Sequence, residues 1–286
     1  MNFSHIADIL TKKILGWPEN PVVPTFADLQ FSSFEGEPLL LDLYLPTCSK
    51  AESYPVIIFI HGCGWLAGDN KLIEPGVFKF LDKGFAVASV SYTLTANAYW
   101  PIQGQQIKGA VRWLRSNAKA YNLDANRFVA YGGSSGGQLA SFLGTTNGIT
   151  EFDIPEFGDI SISSAVQATI ALYAVTNLVE EQPTFSSAMF TKFLGGKAAK
   201  NQDIAINASP IFHISKETTT PFLLMHGDKD TVVLPAQSIE FKHALEEEGI
   251  YCELYILDGV GHVAFEFNEE VAFIRMLTFI NKILAI

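Results

Sequence analysis

Charge is scarce in this sequence. Asp, Glu, Lys and Arg make up only 17% of its 286 residues, against 48% hydrophobic residues. Disordered chains show the reverse balance, and a coiled coil needs far more Glu, Lys and Arg. Positive charge is scarcest. Nineteen Lys and Arg against thirty Asp and Glu leave a net charge of -11, and Lys12-Lys13 is the densest basic pair. Phosphate backbones repel such a chain, so nucleic acid is not an expected partner. Glu246-Glu247-Glu248 reads as a solvated helix face. Cysteine is sparse too: Cys48, Cys63 and Cys252 fit neither a disulfide framework nor a zinc spacing, which favours a reducing compartment. Long hydrophobic runs are absent. The stretch from Ile6 to Leu15 is broken by Asp8, Lys12 and Lys13, and no basic segment precedes it. Neither a signal peptide nor a transmembrane span is expected. The cytoplasm is the expected location, with secretion after loss of a leader as the alternative.

What is present is an alternation of short apolar runs with longer helical periods and no internal repeat. Residues 56–60, 85–90, 128–131, 168–173, 222–225 and 253–257 read as strands covered on both faces, and 39–45 as a strand paired with 27–33. Ile107, Ala110, Val111 and Leu114 fall on one helical face, and 236–248 and 267–284 read as amphipathic helices. Strand alternating with helix predicts an open α/β fold with a mostly parallel sheet, whose ligands sit at the carboxyl ends of the strands. Residues 1–26, with Trp17-Pro18 and Pro21 to Pro24, read as an N-terminal arm. Residues 178–212 lack a clean period and read as a small cap insertion carrying Pro183, Phe185, Met189, Phe190, Phe193 and Pro210.

The loops after the strands carry the chemistry. Gly132-Gly133-Ser134-Ser135-Gly136-Gly137 lies between a strand and a helix and fits G-x-S-x-G, a turn that projects a serine nucleophile. The register centred on Ser135 also matches, but the Gly-Gly pair after it favours Ser134. The dinucleotide fingerprint fails because its second glycine would be Ser134, and no Gly-Lys-Ser/Thr follows for a phosphate loop. His61-Gly62-Cys63-Gly64-Trp65 follows another strand, where small residues leave backbone N–H groups open to an oxyanion. A turn with a packed His and Trp is the plainer reading of that loop. His226-Gly227-Asp228-Lys229-Asp230 and Asp258-Gly259-Val260-Gly261-His262 follow two further strands. A serine nucleophile needs a base, and the base needs an acid to fix its tautomer. The order Ser134, Asp230, His262 supplies both. Asp228 and Asp258 are alternative acids, but Asp230 lies farther past its strand and can reach across. His226 reads as a structural histidine, His5, His213 and His243 as surface or packing residues, and no metal site is expected.

These four loops in order resemble the α/β-hydrolase esterases, more narrowly the hormone-sensitive-lipase-like and feruloyl-esterase-like carboxylesterases, from about residue 30 onward. The resemblance implies an α/β-hydrolase fold with an eight-stranded, mostly parallel sheet, helices on both faces and a small cap, as one domain over 1–286. It implies Ser134 as nucleophile, His262 as base and Asp230 as acid. The oxyanion donors would be the N–H groups of Cys63, Gly64 and Ser135. Trp65 and Phe265 are the expected substrate contacts, and Phe185, Phe190 and Phe193 could line an apolar acyl pocket. The implied reaction is hydrolysis of a small, uncharged ester through an acyl-enzyme, without a cofactor. The same machinery also serves arylformamidases, which cleave an amide, and feruloyl or aryl esterases. A catalytically dead binding protein on this fold is a third reading, against which the complete triad argues. Assembly is left between monomer and homodimer.

Three positions depart from the resembled pattern. Relatives often carry Gly at Cys63, where a Cβ would exclude backbone that only Gly adopts freely. They usually carry Arg at Thr93 and Asp at Gln106. Loss of both charges together suggests that an ion pair was replaced as a unit.

Overall fold

The central strands are apolar at most positions because both of their faces are covered. In the computed structural model of this chain the described residues are 22–47, 51–180 and 184–286, with backbone alone for Thr184 and Phe185. Most of the expected N-terminal arm, including His5, Lys12-Lys13, Trp17-Pro18 and Pro21, lies outside them, as do Cys48 and Pro183.

Eight strands form one sheet: β1 (Phe26–Phe34), β2 (Glu37–Tyr44), β3 (Tyr54–Ile60), β4 (Ala86–Val90), β5 (Leu123–Gly133), β6 (Ala168–Leu172), β7 (Phe222–Gly227) and β8 (Cys252–Leu257). Their spatial order is β1-β2-β4-β3-β5-β6-β7-β8. β1 and β2 run antiparallel, as does the β2–β4 pair, and β4 through β8 are parallel. Glu35 and Gly36, both at positive φ, turn β1 into β2.

Alternation along each strand sorts the core into two layers. Val56, Ile58, Ile60, Phe128 and Ala130 face α1 (Ile102–Ser116) and α2 (Ser135–Thr145). Phe222 and Leu224 on the same side meet α5 (Ala236–Glu247), numbered after α3 (Thr184–Phe193) and α4 (Gln202–Asn207) of the 178–212 segment. Ile57, Phe59, Val129 and Tyr131 face the opposite way, onto a 3₁₀ helix at Pro75–Lys83 and α6 (Glu270–Leu284). This is the α/β-hydrolase fold. Each fully buried aliphatic or aromatic side chain of this kind is worth roughly 1.5–3 kcal/mol.

Two elements differ from their sequence reading. β8 is apolar but is an edge strand, so it is only half buried and Ile256 is exposed. The last helix begins at Glu270 because Phe265–Asn268 tightens into a separate 3₁₀ turn.

The loop after β4 is fixed by α1. The Thr93 N–H donates to Gln106 Oε1 at 2.8 Å, and Gln106 Nε2 donates to Thr93 Oγ1 at 2.8 Å. Gln103 Nε2 donates to the Thr93 and Ala98 carbonyls, and Thr95 N donates to Trp65 O. Two of the three positions that depart from the resembled pattern, Thr93 and Gln106, are therefore direct partners in a neutral pair that braces the Trp65 loop. Gln106→Ala would leave two Thr93 groups unpaired and is expected to cost about 2 kcal/mol. Thr93→Arg would bring an unpaired guanidinium against Gln106 and lower Tm, and adding Gln106→Asp should restore part of the loss. Thermal unfolding of the two single variants and the double variant checks this. A higher Tm for Thr93→Arg alone would contradict replacement as a unit.

Candidate active site

Ser134 stands between β5 and α2 with φ 55° and ψ -122°, a left-handed conformation that costs a non-glycine residue of order 1–3 kcal/mol. Its surroundings hold it there. Its N–H donates to Leu172 O at 2.9 Å, and strand and helix approach so closely that a Cβ on Gly136 would overlap the Ile60 carbonyl. A Cβ on Gly132 would likewise overlap Gly136. The hydroxyl therefore projects past the sheet, over the N-terminus of α2.

His262, in the loop after β8, reaches it. His262 Nε2 lies 3.0 Å from Ser134 Oγ, and His262 Nδ1 lies 2.6 Å from Asp230 Oδ2. Asp230 is 3% exposed, and its Oδ1 accepts the N–H groups of Val232 and Val233 at 2.8 and 2.9 Å. Burial alone would push this carboxyl up, but the hydrogen bonds from His226, His262 and the Val233 amide hold it well below the usual carboxylate range. It stays ionised, so Nδ1 carries the proton and Nε2 accepts from the serine. The alternative acids lie elsewhere: Asp228 bonds Lys229 and the Gly259 N–H, and Asp258 is exposed.

Ser135, the alternative register, is buried, and its Oγ accepts the Trp65 N–H at 3.2 Å. His226 is satisfied in the core, with Nδ1 2.7 Å from Ser238 Oγ and Nε2 2.9 Å from Val233 O. His213 packs edge-on against Phe142 and Phe152, and His243 is exposed. Burial pushes His61 down to about 4, leaving it neutral where it stacks on Tyr92. Among the described residues, no three His, Cys, Asp or Glu side chains form a group that could hold a metal ion. Nor is any helix among them long and apolar enough to cross a membrane.

The loop after β3 lies beside the serine: a Cβ on Gly62 would stand 2.9 Å from Gly133 O and 3.6 Å from Ser134 Cβ. Cys63, Gly64 and Trp65 follow at φ 75°, 64° and 59°. The expectation that a Cβ at position 63 excludes this backbone is thus overturned. Cys63 adopts it, at a cost of roughly 1–2 kcal/mol relative to Gly. Trp65 is 1% exposed; its Nε1–H donates to Gln138 Oε1 and its ring stacks on Phe193 at 4.0 Å. That corrects the expected substrate contact: the ring has no free surface and instead braces the loop. Phe190 and Phe193 are likewise packed around Trp65 in the core. Phe265 is 58% exposed, three residues past His262. The side chain of Phe185 lies outside the described residues.

Three contacts were invisible to sequence reading. Met189 of α3 presses its thioether on Gly64, and Ser186 of the same helix donates to the Val232 carbonyl in the acid loop. Tyr173, directly after β6, sets its ring edge-on to His262 with centroids 4.9 Å apart. Only its position at a strand end could have flagged it.

A family model described as BD-FAE matches residues 41–245, well over half of the sequence. The chain belongs to the BD-FAE family. The match runs from β2 to near the end of α5 and takes in Ser134 and Asp230 but stops short of His262. Among curated relatives, "Esterase LipQ" of Mycobacterium tuberculosis is 28% identical over 241 residues, which is 82% of this chain and 56% of that protein. The chain thus spans about half the length of the curated relatives it matches. Among solved structures, a truncated carbohydrate esterase from gut microbiota superposes with a TM-score of 0.81 at 26% identity, covering 93% of this chain and 98% of that one. Esterase 2 of Thermogutta terrifontis phosphonylated by sarin gives a TM-score of 0.75 at 25% identity, over 93% and 97% of the two chains.

Within this BD-FAE site, Cys63 is a half-buried thiol beside the serine. Maleimides bulkier than the hole should abolish hydrolysis of a chromogenic ester in the wild type. Cys63→Ser should resist them, and retained inhibition in that variant would refute the assignment. Cys63→Gly removes the thiol together with the backbone strain and should raise Tm.

Proposed function

We propose that this chain is a serine carboxylesterase that hydrolyses small, uncharged esters through an acyl-enzyme. The observation that carries the reading is the single imidazole of His262 held between a projected serine hydroxyl and a buried carboxylate. The esterase names of its relatives agree with it, and so does the phosphonylated Thermogutta enzyme, since organophosphonates attack activated serines.

In this mechanism Ser134 Oγ attacks the acyl carbonyl carbon while His262 Nε2 takes its proton. The tetrahedral oxyanion accepts N–H groups of Cys63, Gly64 and Ser135, the last at the open N-terminus of α2. The intermediate collapses, the ester C–O bond breaks, and the imidazolium gives its proton to the departing alkoxide. Water then loses a proton to His262, attacks the acyl carbon, and the acid leaves as Ser134 recovers its proton. Asp230 holds the imidazole in the required tautomer and stabilises the imidazolium. We also assign residues 178–212 as the cap of a single hydrolase domain, with α3 touching both the oxyanion loop and the acid loop. Small esters fit a site walled by Met189 and carrying little charge. The net charge of -11 argues against nucleic acid as a partner.

Ser134→Ala should lower kcat about a millionfold and abolish fluorophosphonate labelling, whereas Ser135→Ala should keep the label. Asp230→Asn should cost roughly ten-thousandfold. Short p-nitrophenyl esters should turn over far faster than N-formylkynurenine, and the opposite order would make the enzyme an amide hydrolase of the same machinery. Absence of labelling at Ser134 would overturn the serine-esterase reading.

A further inference from the structure

A buried carboxyl lies under the site, and the mechanism above does not use it. Glu74 opens the 3₁₀ helix Pro75–Lys83 on the sheet face that carries α6. Its Oε1 accepts the Tyr173 hydroxyl at 2.9 Å, and the Tyr131 hydroxyl faces the same carboxyl. Its Oε2 is buried and has no hydrogen-bond partner among the described residues. Burial, the largest influence, pushes this carboxyl up to about 7 although both tyrosines act against it.

The pair occupies a space that the nucleophile's own strand leaves open. Gly133 immediately precedes Ser134. A Cβ on it would stand 2.6 Å from Tyr173 Oη and 2.8 Å from Glu74 Oε1, so any side chain at position 133 would displace both. Tyr173 is held from three directions. Its backbone is at φ 37°, its N–H donates to Met225 O at 2.7 Å, and its ring meets Phe267 edge-on at 4.7 Å. The other edge-on contact of that ring is the His262 imidazole. A carboxyl, a phenol and the imidazole thus form a row behind Ser134, on a side of the base separate from its Asp230 contact.

The geometry points to Tyr173, anchored by Glu74, as a positioning residue for the His262 imidazole, with the Glu74 carboxylate as a second counter-charge to the imidazolium formed in each half-reaction. This rests on the serine-esterase reading above. Asp230 fixes the Nδ1 corner of the ring, and the Nε2 contact to Ser134 is given up as the serine attacks, so a third contact is needed to hold the ring plane. The Tyr173 edge supplies that contact and keeps Nε2 on the serine. The Glu74 charge acts through the tyrosine, both groups being buried, where screening is weak.

The titratable groups facing Glu74 are few. Tyr131 comes from β5 and Tyr173 from the end of β6; both are held well above the ordinary phenol value, by burial first and then by Glu74, and so remain protonated. Cys63 acts on Tyr173 from the oxyanion loop, and His262 lies beyond Tyr173. Among charged groups nearby, Lys79 on the 3₁₀ helix is engaged by the Asn268 carbonyl and by Glu270 of α6. Glu74 therefore changes charge near neutral pH without a cation of its own, and the imidazolium is the one it can serve.

Glu74→Gln keeps the acceptor oxygen and removes the charge. Its kcat/KM for a p-nitrophenyl ester should fall about threefold to tenfold on the plateau. The wild-type advantage should itself depend on pH, largest above about 7 and shrinking below it, where the wild-type carboxyl is protonated. Tyr173→Phe keeps the ring and breaks the bond to Glu74; it should show the smaller drop with KM unchanged. Tyr173→Leu should lose more than tenfold in kcat. Thermal unfolding supplies an independent readout. Glu74 has a raised folded value, so its stabilisation is present at pH 5 and lost as pH rises through about 7. The Tm of Glu74→Gln should thus gain on the wild type between pH 5 and 8. An active wild type whose kcat/KM advantage over Glu74→Gln is the same above and below pH 7, or a Tm difference independent of pH, would overturn the assignment. A wild type inactive on esters and unlabelled by fluorophosphonate would instead sink the esterase reading itself.

Discussion

The constraint on which the rest depends is the backbone of Ser134. A residue with a side chain sits at φ 55° because a buried strand and a helix meet there at glycine distance. That contact demands glycine at 132 and 136, and the loop after β3 lies next to the turn. The strain is local, while its support is spread over β3, β5, β6 and α2. Such a conformation persists only where the surrounding structure over-determines it.

Electrostatics follow the same economy. The core under the site is apolar on both layers, so an ionised group there needs dedicated donors. Asp230 has them from two amides and two histidines, and it stays charged. Glu74 has only phenols, and its carboxyl takes up a proton far more readily. Two buried carboxyls, one bonded to the imidazole and one to the tyrosine beside it, therefore behave differently because of what donates to them, not because of depth. The same scarcity of charge explains the neutral Thr93–Gln106 pair, which satisfies four polar groups without burying an ion.

Much of the fold was legible because doubly covered strands are apolar at most positions. β3, β5, β6 and β7 stand where the runs at 56–60, 128–131, 168–173 and 222–225 place them, with ends displaced by a few residues. β8 has the same apolar composition, but composition does not distinguish an edge from a centre. The loops carrying Ser134, Asp230 and His262 were legible because each follows a strand and each residue type suits one step of acyl transfer. Residues 178–212 were not. Their short helices touch loops at isolated points, such as Met189 on Gly64, and leave no amphipathic stripe to read. Glu74 was missed because nothing in its local sequence marks it, and Tyr173 because only its place after a strand does. They meet across 99 positions of chain, in the space left by an absent side chain on Gly133. Trp65 and Phe193 were read as lining when they are packing, since aromatic content alone does not say which way a ring faces.

The Thr93–Gln106 pair bears on how such sequences can diverge. The pair closes the gap between a loop and a helix with two neutral hydrogen bonds. Changing either residue alone to a charged one would set a lone charge against a neutral partner beside the fully buried Gln106. The residues at 93 and 106 are thus one unit of structure, and the choice at either position constrains the choice at the other.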